Sequence, residues 1–279
     1  MSEMAKLWKG IFYCYWMSDK PLVQQALSSE LAELLLTISS TDASLKFLRG
    51  FWDAIVREWN GIDRLRMDKY YMLVRKFVNA SFRLLVRADW DKSVVDKYNS
   101  ILTCRGGPLC PEDNRVPTSL SYHLADVYLT ELNRSLESSP HAGQAGAGPL
   151  PVPLFPLLSP FLYLASLTNS NVTYQRVYSE IIEPLFSALK PCPPPEAPLN
   201  KRPRLLNKSS FDNIVANSCL ENPEEEGKVE STKTRKALLR KMFDIASGPD
   251  ARETNRRKMY AIWKAAMAEE DENVGDDEK

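Results

Sequence analysis

Apolar side chains recur three and four positions apart from the start of the chain: Leu7, Trp8, Ile11, Phe12, Tyr15 and Trp16. That period puts them on one side of a helix predicted over about 5–17, whose aromatic face must pack against something large. Ser18 and Asp19, just ahead of Pro21, supply a start signal for a second helix carrying Leu27, Leu31, Leu34, Leu35 and Ile38. Thr41 or Asp42 caps a third, with Leu45, Leu48, Trp52, Ile55, Val56 and Trp59 in register, and Asn60 and Gly61 close it. Asp63 opens a long fourth helix to about 88, with Tyr70, Leu73, Val74, Phe77, Leu84 and Leu85 on its apolar side. Shorter helices follow near 91–102 and 118–136, separated by an insertion holding Gly106, Gly107, Pro108 and Pro111. A last pair lies near 157–168 and 172–188, and Pro184 should kink or end its second member.

Short turns between amphipathic helices make neighbours antiparallel. The predicted fold is therefore all-α, with helix pairs stacked as a HEAT-like solenoid or an irregular helical bundle. The repeat domain is expected over 1–189, with loop insertions at about 103–117 and 137–156. Residues 190–232, with six prolines between 191 and 203, read as a Pro- and charge-rich linker expected to be disordered. Two basic helices over 233–270, joined by Gly248 and Pro249, have few core positions and are expected to dock on a surface, their own or a partner's. An acidic tail occupies 271–279. The charge-free stretch 142–175 contains Pro149, Pro151, Pro153, Pro156 and Pro160, which would break a spanning helix, so a loop leading into a buried helix is expected and no membrane partner.

Composition agrees with a folded helical protein: 279 residues, 44% apolar, with only 11 glycines. Equal counts of 36 basic and 36 acidic residues hide a segregation, since 46–105 holds 13 Lys/Arg against 7 Asp/Glu while 269–279 holds 7 acids against one Lys. Five widely spaced cysteines do not form a disulfide framework and fit a reducing compartment. Nothing at the N-terminus has the order of a secretory signal. The chain carries no phosphate-binding glycine loop, and Gly106-Gly107 reads as a plain turn. His123 and His141 are the only histidines, and Cys104 and Cys110 lack a usual zinc spacing, so His123 reads as a packing or surface residue. No catalytic residue, metal site, cofactor or small-molecule substrate is expected. A nuclease would need clustered carboxylates, and the acids here are scattered or in the tail.

The basic residues suggest binding. On the fourth helix Lys69, Lys76, Arg83 and Arg87 fall within about 40° of one another, one stripe able to track a phosphate backbone. The C-terminal helices add Arg235, Lys236, Arg240, Lys241, Arg256, Arg257 and Lys258 as RNA-binding candidates. A solvated helix face is the plainer explanation of the fourth-helix stripe, whereas the C-terminal helices, poor in core residues, are expected to bind RNA or an acidic protein. Lys201, Arg202 and Arg204, in the linker, resemble a short nuclear localisation signal.

Four stretches together resemble the nucleolar ribosomal RNA processing protein 1 family. They are LWKGIFYCYWMSDKPLVQQALSSELAELLL at 7–36, FLRGFWDAIVREWNGIDRLRMDKYYMLVRKFVNASFRLL at 47–85, YHLADVYLTEL at 122–132 and RKALLRKMFDIASGPDARETNRRKMYAIWK at 235–264. The resemblance implies a non-catalytic, all-helical nucleolar assembly factor of the large (60S) ribosomal subunit, needed for pre-rRNA processing. Its partners would be other assembly factors in pre-60S particles, and pre-rRNA. Family members usually carry a further helical segment ahead of the first motif. Without it, Trp8, Phe12, Tyr15 and Trp16 are expected to leave an exposed apolar patch for protein docking. The alternative is a nuclear helical-repeat adaptor that binds proteins only.

Overall fold

In a computed structural model, which describes residues 2–137, 150–191 and 211–276, the protein is all-α. The first helices are α1 (Glu3–Trp16), α2 (Pro21–Thr37), α3 (Thr41–Glu58), α4 (Arg64–Arg87), α5 (Lys92–Thr103) and α6 (Thr118–Glu137). A two-residue strand β1 (Val152–Pro153) leads into α7 (Leu154–Leu167) and α8 (Asn171–Val177). A π-helical turn, Tyr178–Ile182, then connects α8 to α9 (Glu183–Ala188). It lies just ahead of Pro184, whose missing N–H would otherwise break the ladder, so the proline shifts the helical register rather than ending the helix.

Helices pack mainly on their second neighbours. α1 lies on α3, α3 on α5 and α5 on α7, while α2 lies on α4, α4 on α6 and α6 on α8. Odd- and even-numbered helices thus form two layers with the core between them, the solenoid arrangement that the antiparallel pairs predicted. Asp63 caps α4 as expected, accepting from the backbone N–H groups of Leu65 and Arg66. α3 is capped by Ser40, one residue earlier than anticipated. α7 is largely buried, as the charge-free stretch implied, and no helix of the described residues is long and apolar enough to cross a membrane.

The aromatic face of α1 closes the first layer. Trp8 packs against Phe47, Phe51 and Phe77, and Phe12 stacks on Tyr70 at 4.9 Å. Gly50 makes this possible: a Cβ there would lie 2.4 Å from the Trp8 ring. In the insertion after α5, Gly106 adopts φ 87° and donates its N–H to buried Asp113, which also holds Arg115 at 2.7 Å.

The linker expected over 190–232 is shorter than that. From Phe211 onward the chain is built into the fold through α10 (Asp212–Ala216), β2 (Ser218–Cys219) and α11 (Pro223–Glu226). Ile214 is fully buried, and the Asn133 side-chain oxygen accepts from the backbone N–H groups of Asn213 and Ile214 at 3.0 and 3.2 Å. β2 pairs in parallel with β1, Ser218 opposite Val152 and Cys219 opposite Pro153. Glu226, though exposed, organises this turn: its carboxylate accepts from the backbone N–H groups of Leu220, Glu221 and Asn222. The two C-terminal helices, α12 (Ser231–Ser247) and α13 (Glu253–Asp276), pack on each other and on α7.

The Gly50 contact predicts opposite outcomes for two Gly→Ala changes. Gly50→Ala should lower the unfolding free energy by about 1–2 kcal/mol, because overpacking Trp8 outweighs the gain in helix propensity. Gly10→Ala, at a helical position with open space around it, should raise it by about 1 kcal/mol, both read from urea denaturation.

Candidate nucleic-acid and partner interfaces

The α4 stripe does not face solvent as a row. Lys69 is only 5% exposed, and its Nζ donates to the carbonyl oxygens of Tyr15, Trp16 and Ser18 at 2.9, 2.7 and 2.8 Å. These are the carbonyls at the C-terminal end of α1, which has no basic residue in its own last turn. The contact is reciprocal, since the Tyr15 hydroxyl donates to the Lys69 carbonyl at 2.8 Å. Burial, with Arg66 nearby, pushes the ammonium's pKa down, and the three carbonyl dipoles hold the charge in place. Arg87 does the same for α2, donating to the Leu36 and Ile38 carbonyls at 2.5 and 3.3 Å. Arg83 pairs with Glu33 of α2. Of the four stripe residues, Lys76 alone is exposed with no partner among the described residues.

The aromatic residues of α1 are not an exposed patch either. Trp8, Phe12 and Tyr15 are buried, because α3 and α4 supply the neighbour that the first pair was expected to lack. Trp8 donates its indole N–H to the Phe47 carbonyl at 3.0 Å, and the Tyr70 hydroxyl donates to the Phe12 carbonyl at 3.1 Å. Trp16 is half-buried, with the Arg66 guanidinium 5.0 Å from its ring centroid. Exposed apolar residues of this helix pair are Leu7, which the period had placed on the aromatic face, with Tyr13 and Met17 on or just after α1, and Leu22, Val23 and Leu34 on α2. Met17 and Leu22, at 73% and 79% exposure, are the most open of these. The sequence carried this signal, since α1 is apolar on two faces and only one could be inward.

Most C-terminal cations also have internal work. Buried Arg235 pairs with Glu269, and Lys241 with Glu221. Arg256 donates to the carbonyls of Ala246, Gly248 and Ala251, closing the C-terminal end of α12. Arg257 pairs with Glu253, and Lys258 donates to Asn171 while lying 4.7 Å from the Tyr174 ring centroid. Lys236 and Arg240 are exposed. Arg252, on the same basic segment, closes α7 by donating from Nε to the Leu167 carbonyl at 2.9 Å. The localisation candidates Lys201, Arg202 and Arg204 lie outside the described residues.

Residues 1–264 match the family described as Nucleolar protein, Nop52. The chain belongs to this family. It is similar to the ribosomal RNA processing protein 1 homolog A of Homo sapiens, 30% identical over 222 residues, a match covering 80% of this chain and 44% of that protein. To the homolog B of Homo sapiens it is 34% identical over 181 residues, 65% of this chain and 22% of that protein. The homolog of Dictyostelium discoideum is 24% identical over 98% of this chain and 54% of its own length. The chain thus spans between about a fifth and about half of these relatives.

The family match takes in the helix-end contacts at Lys69, Arg87, Arg252 and Arg256. Among the described residues no three His, Cys, Asp or Glu side chains are grouped as a metal ion would require. His123 packs on the Tyr71 ring at 4.4 Å and places Nε2 3.0 Å from the Tyr71 carbonyl, so Nε2 carries the proton. Glu131, 2% exposed, joins α6 to α4 by pairing with Arg75, with Arg134 at 3.0 Å.

Lys69→Met should cost about 1–3 kcal/mol of stability by leaving buried carbonyls without a donor, whereas Lys76→Met should change it by less than about 0.5 kcal/mol, both by chemical denaturation. Burial lowers the His123 pKa from its ordinary 6.5. The unfolded chain therefore binds the proton more readily, and stability should decline as pH falls below about 6.5 and level out above it. His123→Gln should flatten this part of a stability-against-pH profile.

Proposed function

We propose that this chain acts in ribosomal RNA processing in the nucleolus, as a non-catalytic scaffold that joins assembly factors of the large-subunit precursor to pre-rRNA. Support comes from membership of the Nop52 family over residues 1–264 and from relatives named ribosomal RNA processing protein 1. The structural observation that carries the scaffold role is the apolar outer side of α1 and α2, where Leu7, Met17, Leu22, Val23 and Leu34 stay exposed beside a filled core. A row of this kind on a rigid helix pair suits protein docking. Contact with pre-rRNA falls to Lys76 and Arg240, exposed cations that hold no helix end. Lys201, Arg202 and Arg204 would direct the chain to the nucleus.

A protein-only adaptor is the second reading. It is favoured by the engagement within the fold of most of the RNA-binding candidates, among them Lys69, Arg83, Arg87, Arg235, Lys241, Arg256, Arg257 and Lys258. Affinity purification of the tagged chain from nucleolar extract, followed by RNA crosslinking, separates the two. The scaffold should recover large-subunit precursors and crosslink to rRNA, and Lys76→Glu with Arg240→Glu should weaken the crosslink and make it less salt-dependent. Recovery of assembly factors without RNA crosslinks would favour the adaptor. Recovery of neither would overturn both.

A further inference from the structure

A cleft of about 580 Å³ opens between the turn joining α4 to α5, the first half of α7 and the segment around α11. None of the candidate residues above lines it. Its rim is acidic, and three of its carboxylates, Asp89 on one wall and Glu224 and Glu225 on the other, are exposed and have no ion-pair partner among the described residues. The remaining rim acids are engaged: Asp91 caps α5, Asp96 pairs with Lys92 at 2.7 Å, and Glu221 pairs with Lys241 at 2.7 Å.

The floor is aromatic and proline-rich, made by Phe155, Pro156 and half-exposed Tyr163. Into this wall is set Asn99, whose amide donates to the Pro156 carbonyl at 2.8 Å while its side-chain oxygen is buried with no donor. Unpaired carboxylates around an aromatic floor call for cationic donors on apolar stems. The protein's own Lys241 already shows how a cation sits at the edge of this cleft, with Nζ 5.0 Å from the Phe155 ring centroid and paired with Glu221.

We propose that this cleft binds an extended Lys/Arg-rich segment of a partner protein. Its cations face Asp89 across from Glu224 and Glu225, and its apolar stems cover Phe155 and Tyr163. Phosphate is repelled by the same carboxylates, so the cleft is not an RNA site, and an apolar helix would bury those carboxylates unpaired. The inference does not depend on whether the chain touches RNA.

The test uses the purified full chain and a fluorescein-labelled Lys/Arg-rich decapeptide, read by anisotropy. Asp89→Asn, Glu224→Gln and Glu225→Gln together keep the side-chain shapes, and Asn is tolerated at Asp89, whose φ is 49°. The triple variant should fold as the parent does by circular dichroism and bind the peptide about tenfold or more weakly, with parent binding falling as salt rises. Neutralising three exposed acids elsewhere, Glu30, Asp68 and Glu183, should leave affinity within about twofold. Equal losses in the two triple variants would overturn the proposal, as would an unchanged affinity in the cleft variant or parent binding of oligouridine RNA that the cleft variant loses.

Discussion

A helix ends with carbonyl groups that have no partner within the helix, and burying that end requires a donor from elsewhere. In this protein α1, α2, α7 and α12 all lack a basic residue in their last turn. Each receives one from another part of the chain: Lys69, Arg87, Arg252 and Arg256, respectively. Arg49 of α3 similarly reaches the Arg105 carbonyl, just past the end of α5. A cation at that position gains from the helix dipole as well as from the hydrogen bonds, by about 0.3–2 kcal/mol each. More importantly, it ties the end of one helix to the flank or start of another, and so fixes how the stacked helices meet.

This use of charge changes what a basic stripe means. Lys and Arg spaced along one helix face look alike whether they meet phosphates or the ends of neighbouring helices. The α4 stripe sits where α2 crosses it and where α1 terminates, so its rigid spacing serves packing. A cation with three carbonyls around it has neither the exposure nor the freedom to follow an RNA backbone, whereas Lys76, between such positions, has both.

Much of the fold was legible because amphipathic period and caps are local. The helices over 3–103 lie close to their predicted spans, and Asp63 acts as the cap it was read to be. What escaped depended on contacts far along the chain. Lys69 falls on the polar arc of α4, and only the course of α1 buries it. Trp8, Phe12 and Tyr15 were correctly read as needing a large neighbour, but that neighbour comes from α3 and α4 rather than from outside. Residues 211–230 look like linker by composition. Their few apolar side chains, Phe211, Ile214 and Cys219, become core only because Asn133 and β1 hold the backbone against α6 and α7.

Once the internal cations are accounted for, the surface divides differently from the charge count along the chain. One end of the solenoid, at α1 and α2, presents apolar side chains whose opposite faces are filled. Beside α5, α7 and α11, acids collect because Glu226 turns the backbone and leaves Glu224 and Glu225 outward, while the left-handed Asp89 and Trp90 put a carboxylate outside and an indole inside. An apolar row and an acidic cleft attract different chemistries, and a two-layer solenoid keeps them apart on elements that do not need to move. A protein so built has its binding capacity in what its helices leave over after securing one another's ends.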